Sequence, residues 1–136
     1  MDQPASTSLL HSDCTGRIIG AFYKVYNALG PGLAERVYGR ALHAELRSRG
    51  CDARPQAALE ARYGSEKPVR FRADFVVDGR VVVEIKARSC LLQGHWAQLI
   101  NYLRVSQLQV GLPLNFGPRP EFKRIVLSKG RSGTMS

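Results

Sequence analysis

Acidic residues are scarce in this chain: 11 Asp and Glu stand against 20 Lys and Arg, leaving a formal charge of +9 at pH 7. That balance favours a polyanionic partner. The basic residues are spread along the chain, so a generally basic protein without such a partner fits the composition too. Cysteine is sparse as well. Cys14, Cys51 and Cys90 lie far apart with no C-x-x-C pair, which excludes a zinc or iron–sulfur site built from cysteine alone and points to free thiols in a reducing compartment. No stretch approaches the roughly 18 apolar residues of a membrane span, so no membrane association is expected. Met1-Asp2-Gln3-Pro4 has neither a basic n-region nor an apolar h-region. No secretory signal is expected from it, and a cytoplasmic location is the expectation. There is no internal repeat, P-loop, dinucleotide-binding glycine set or H-E-x-x-H, and no Gly-x-Ser-x-Gly elbow.

What the chain does have is one unusual stretch, residues 72–86, set in an otherwise ordinary globular composition of 44% hydrophobic and 23% charged residues. Its 136 residues suit one domain, expected over 14–128 between flexible tails at 1–13 and 129–136. Within residues 72–86, β-branched and aromatic residues flank Asp78-Gly79, a hairpin signal. Phe71, Ala73, Phe75 and Val77 alternate with polar residues on the first strand, and Val81, Val83, Ile85 and Ala87 do so on the second. Side chains two apart share a face. The two apolar sets coincide only if odd residues pair with odd residues. A two-residue loop would pair Val77 with Arg80, so the pattern predicts a three-residue loop or a bulge at Gly79. Asp74, Glu84 and Lys86 then project from one face.

Two carboxylates held together oppose each other's ionisation unless a cation lies between them. Mg²⁺ takes one or two protein carboxylates with waters and phosphate oxygens, and a neighbouring lysine can orient an attacking water or neutralise charge on phosphate. The competing reading is a solvated polar face in which Lys86 pairs with Glu84 or Asp74.

In chain order, Asp13 or Thr15 is the expected cap of a helix carrying Ile18, Ile19, Phe22, Val25, Tyr26 and Leu29 on one stripe. Gly30-Pro31-Gly32 ends it. A second helix spans about 33–49, with Val37, Tyr38, Ala41, Leu42 and Leu46 inward and Arg36, Arg40, His43 and Arg47 outward. Glu35, in its first turn and near the inner side, either complements the helix dipole or belongs to a site. A weaker strand covers 56–63, with a turn at 63–65, and the hairpin follows at 69–87. A third helix, 91–105, carries Leu92, Trp96, Leu99, Ile100 and Leu103 on one stripe and His95, Gln98 and Tyr102 on a polar strip beside it. Strands at 109–116 and 122–127 complete an α-α-β-β-β-α-β-β order, an α/β sheet with helices packed on it. Pro113 argues for an edge or a bulge in the first of these two strands.

Several motifs together follow one family's order. They are Gly32, Glu35 and Tyr38 in a G-x-x-E-x-x-Y pattern, Phe71-Arg72-Ala73-Asp74, Val83-Glu84-Ile85-Lys86-Ala87, and residues 95–103, 111–116 and 123–127. Over about 15–127 the chain resembles the small GxxExxY proteins, a branch of the PD-(D/E)XK nuclease-like superfamily. The resemblance implies a restriction-endonuclease-like core, a central mixed β-sheet flanked by helices. It implies Asp74 and Glu84 as metal ligands, Lys86 as the catalytic lysine, Glu35 as the first-helix acid and Gln98 as a glutamine reaching the site. The main-chain carbonyl of Ile85 is a further candidate ligand, and Tyr38, His95 and Tyr102 are candidate accessory residues. The resulting expectation is a nuclease, a Mg²⁺- or Mn²⁺-dependent phosphodiesterase on nucleic acid, DNA in preference to RNA, working alone, as a homodimer or with a partner protein. The alternative from another class is a non-catalytic nucleic-acid-binding or assembly module on the same fold.

Overall fold

The computed structural model describes residues 10–62 and 64–128. The expected tail residues 1–9 and 129–136, and Tyr63 of the expected 63–65 turn, lie outside these. Two helices, α1 (Ser12–Leu29) and α2 (Glu35–Ser48), precede three strands, β1 (Ala53–Ala61), β2 (Val69–Val77) and β3 (Val81–Lys86). A 3₁₀ turn (Gln93–Trp96) leads into α3 (Ala97–Val105), and β4 (Val110–Phe116), β5 (Pro120–Phe122) and β6 (Ile125–Val126) follow. The expected order therefore holds, except that the last strand is two short ones. The six strands form one sheet, ordered β1-β2-β3-β4-β5 with β6 also on β4. Only β3 and β4 run parallel, joined by the crossover through α3.

Both faces of the sheet are covered. Ile18, Phe22 and Val25 of α1 and Tyr38, Leu42 and Leu46 of α2 pack on Phe75, Val77, Val81, Val83, Ile85, Leu112 and Leu114. On the opposite face, Leu99, Tyr102 and Leu103 of α3 pack on Ala57, Ala73, Val76 and Val82. Strands buried on both sides read as continuous apolar runs, which explains Val81-Val82-Val83. Three residues expected inward, Leu29, Val37 and Leu92, are instead exposed at 40–58%. Tyr38 is the pivot of the first layer. Its ring stacks on Phe116 at 4.1 Å between centroids, and its hydroxyl donates to the Gly30 carbonyl and accepts from the Leu33 N–H, tying down the α1–α2 loop.

The first helix begins earlier than a cap at Asp13 or Thr15 would place it: His11, at φ 57°, precedes its first residue, Ser12, and neither Asp13 nor Thr15 caps it. Gly30, at φ 70°, closes its far end, where a side chain would strain the backbone. The expected edge or bulge at Pro113 is not found. β4 is interior and buried throughout. Its neighbour on the far side is broken between Phe122 and Ile125, opposite Pro113, so a residue without an N–H falls where the ladder is interrupted.

Candidate active site

The hairpin register is the odd–odd one: Phe75 pairs with Val83, Val76 with Val82 and Val77 with Val81. Residues 78–80 form the three-residue loop, with Asp78 at φ 54° and Gly79 at φ 63°. The turn is pinned from outside the hairpin. Asp78 accepts the Asp52 N–H at 2.8 Å and an Arg17 guanidinium N–H at 2.9 Å. Those bonds hold its carboxyl below the usual carboxylate range.

At the other end the β2–β3 ladder stops at Phe75 and Val83, and side chains take over. Ile85 donates its N–H to Asp74 Oδ2 at 2.7 Å, and Asp74 donates its own N–H to Glu84 Oε2 at 3.3 Å. Each carboxylate thus takes a backbone donor, and the two are held side by side. The expected single polar face is only part of the geometry. Phe75 and Val77 lie in the α1/α2 layer, but Ala73 lies in the α3 layer with Val76, so alternation reverses at Asp74. The same reversal occurs across the ladder in β1, between Ala53 and Ala57. Gln56 stands between the paired positions Pro55↔Phe75 and Ala57↔Ala73, at φ 50°. Left-handed backbone at a residue other than glycine is costly and concentrates at functional sites.

The electrostatics follow from this crowding. Burial first, and then the neighbouring Asp74 charge, push the Glu84 carboxyl well above the usual carboxylate range, while Lys86 pulls it back. Asp74 and Lys86 therefore both act on Glu84 at the open end of the hairpin. Glu35 reaches the same end. It is exposed, and its Oε2 accepts the Ala87 N–H at 3.1 Å, just past Lys86. The following residue is fixed by Asn115, which accepts the Arg88 N–H at 2.8 Å and donates to the Arg88 carbonyl at 3.0 Å. Asn115 is fully buried in β4, and nothing in its sequence context singles it out.

A cavity of about 370 Å³ opens beside Asp74. Its wall is Glu35, Arg36, Gly39, Arg40 and His43 of α2, and its floor includes Pro55, Gln56, Phe75 and Ile85. Arg36, Arg40 and His43 were expected to face outward. They line this cavity instead, because the polar side of α2 overhangs the open end of the hairpin. Gln98 is exposed on α3 and lines a groove with Arg70, Phe71 and Arg72, two residues before Asp74. Among the remaining candidates, His95 accepts the Leu92 N–H through Nδ1 at 2.9 Å. Tyr102 is buried against β2 and β3, and that burial raises its hydroxyl pKa.

Among the described residues no group of three or more His, Cys, Asp or Glu side chains can hold a metal ion. The donor set therefore does not suit a cage of protein ligands. It does suit Mg²⁺, which uses one or two carboxylates and completes its shell with water and phosphate oxygens. The mutual strain between Asp74 and Glu84 is what a cation placed between them relieves.

A mixed sheet with helices on both faces and D…E-x-K at the open end of its hairpin is a restriction-endonuclease-like arrangement. The family model of the PD-(D/E)XK nuclease superfamily matches residues 12–125, and the chain belongs to that superfamily. Its nucleases generally use divalent metals such as Mg²⁺. Solved structures match too, among them the crystal structure of SSO0001, at 21% identity and a TM-score of 0.57 over 93% of this chain. This chain spans 64% of that one, and the likeness concerns the fold. No curated protein matches. Among the described residues no helix is long and apolar enough to cross a membrane.

Proposed function

We propose that this chain is a Mg²⁺- or Mn²⁺-dependent phosphodiesterase of the GxxExxY branch, acting on nucleic acid and on DNA in preference to RNA. The observation that carries the reading is the Asp74–Glu84 pair, each carboxylate locked by a backbone N–H of the opposing strand. A divalent cation, when bound, polarises phosphate and lowers the pKa of water. Asp74 and Glu84 hold it, with the Ile85 carbonyl as a third oxygen. Lys86 positions the attacking water and faces the charge that develops on phosphate. Glu35 acts as a positioning residue by holding the Ala87 N–H, and with it the strand end that carries Lys86. The excess of basic residues contacts the backbone with little reading of sequence, so binding is steeply salt-dependent.

The binding-module reading has the formal charge of +9 in its favour, which holds nucleic acid whether or not it is cut. A cleavage assay on DNA and RNA with Mg²⁺, Mn²⁺ or EDTA separates the two. Metal-dependent cutting that falls at least about 100-fold in folded Glu84→Ala and Lys86→Ala supports the nuclease, that being the scale of losing one electrostatic stabiliser. Cutting that survives Glu84→Ala contradicts it. Nucleic-acid binding without cutting, undiminished in Glu84→Ala, leaves the binding module.

A further inference from the structure

The cavity beside Asp74 has a composition the metal site does not require. Its floor includes Phe75, Ile85 and Pro55, and two arginines, Arg36 and Arg40, stand on its α2 wall. Its volume of about 370 Å³ falls in the range of small-ligand pockets, roughly 300–1,000 Å³. Glu35 and Asp74 also line it, on the side that borders the carboxylate pair and Ala87; away from them, an apolar floor beside two arginines matches a nucleotide, whose base is flat and apolar on its faces and whose phosphate is anionic.

Gly39 supplies a second, independent observation. It lies within α2, where glycine is a destabilising choice. Packing does not demand it: a Cβ there would meet only Ile85 Cδ1, at an ordinary 3.6 Å. Gly111 and Gly117 differ, since a Cβ would come within 2.4 Å of Leu99 or of the Arg88 carbonyl oxygen. The missing side chain at position 39 keeps the cavity open, and that is its visible effect.

We infer that this cavity takes one unpaired nucleotide of the substrate strand, its base on the Phe75–Ile85 floor and a phosphate against Arg36 and Arg40. The inference rests on the nucleic-acid reading above and deepens it. A base stacked and paired in a duplex cannot enter such a cavity without leaving the stack. The chain therefore prefers single strands, ends or unpaired positions to continuous duplex. Asp74, shared between the cavity and the carboxylate pair, places that nucleotide next to the phosphate to be cut.

The test is equilibrium binding of fluorescein-labelled oligonucleotides in EDTA, so that no cleavage is needed. The strands are single-stranded DNA, single-stranded RNA, a matched duplex and a duplex with one unpaired nucleotide. Wild type is expected to bind the single strands and the interrupted duplex more tightly than the matched duplex. Gly39→Leu, which fills the cavity, is expected to weaken those ligands about tenfold, on the scale of losing one stacked base, and to leave the matched duplex unchanged. Gly39→Ala, whose methyl takes only a little of the cavity, should weaken them less than Gly39→Leu, and Arg40→Gln, at an exposed position, should weaken the same ligands without risk to the core. Equal affinity for all ligands, or variants that bind single strands as wild type does, overturns the inference. Loss of binding in Gly39→Leu by a protein that never cuts supports the pocket and fails only the nuclease. Cutting that Gly39→Leu and Arg40→Gln leave untouched does the reverse.

Discussion

The two ends of the β2–β3 hairpin share strands and register yet have opposite electrostatics. At the turn, the carboxylate of Asp78 meets a cation and a backbone donor, Arg17 and Asp52, and is held ionised. Arg80 adds a further contact at 3.6 Å. At the open end, the carboxylate of Glu84 meets another carboxylate, and its ionisation is opposed. The turn is arranged as a chain would arrange it for stability. The open end is arranged against stability, and such a place is where a functional group is expected.

The contrast is broken most severely by exchanging roles. Glu84→Gln is expected to reduce cleavage at least about 100-fold, while Asp78→Asn reduces it little per folded molecule; a cleavage time course on both variants checks this. Stability should respond the other way. Asp78→Ala strips Arg17 and the Asp52 N–H of their partner and should cost about 2–3 kcal/mol, the scale of hydrogen bonds to a charged group. Urea unfolding of the metal-free protein measures it.

A pH series sharpens the comparison further. The folded, metal-free chain keeps a proton on Glu84 that the unfolded chain releases, between about pH 4.5 and about pH 8. Its stability therefore falls as pH rises through that window. Glu84→Gln should flatten the fall, by up to a few kcal/mol (~1.4 per pH unit) at its upper end, and Mg²⁺ should offset it in wild type alone. Thermal unfolding at several pH values, with and without Mg²⁺, reads both effects. The smallest effect concerns the reversal of alternation. Gln56→Gly removes a left-handed residue's strain at the cost of a more flexible unfolded chain, for a net gain of a few tenths to about 1 kcal/mol.

Much of this was legible in the residues. The odd–odd pairing follows from Val77 and Val81 needing one face, and the three-residue loop follows from that pairing. The meeting of Asp74 with Glu84 follows in turn. The reversal at Asp74 was hidden because its cause lies in β1, at the left-handed Gln56, and no pattern within β2 announces it. Arg36, Arg40 and His43 were counted outward from Tyr38, which is right for the helix but silent about the hairpin end it overhangs. Gln98 shares the polar strip of α3 with Tyr102, yet helical spacing says nothing of which groove that strip borders. The split of the last strand into β5 and β6 depends on Pro113 in a neighbouring strand, a tertiary effect beyond any local window.

The central claim is that Asp74 and Glu84 form a divalent-cation site. Calorimetric titration of Mn²⁺ into the metal-free protein at pH 7 tests it without any substrate. The account predicts one binding event accompanied by proton release, since Glu84 must give up its proton to bind, and its loss in Glu84→Gln but not in Asp78→Asn. Mn²⁺ binding that persists unchanged in Glu84→Gln would contradict it.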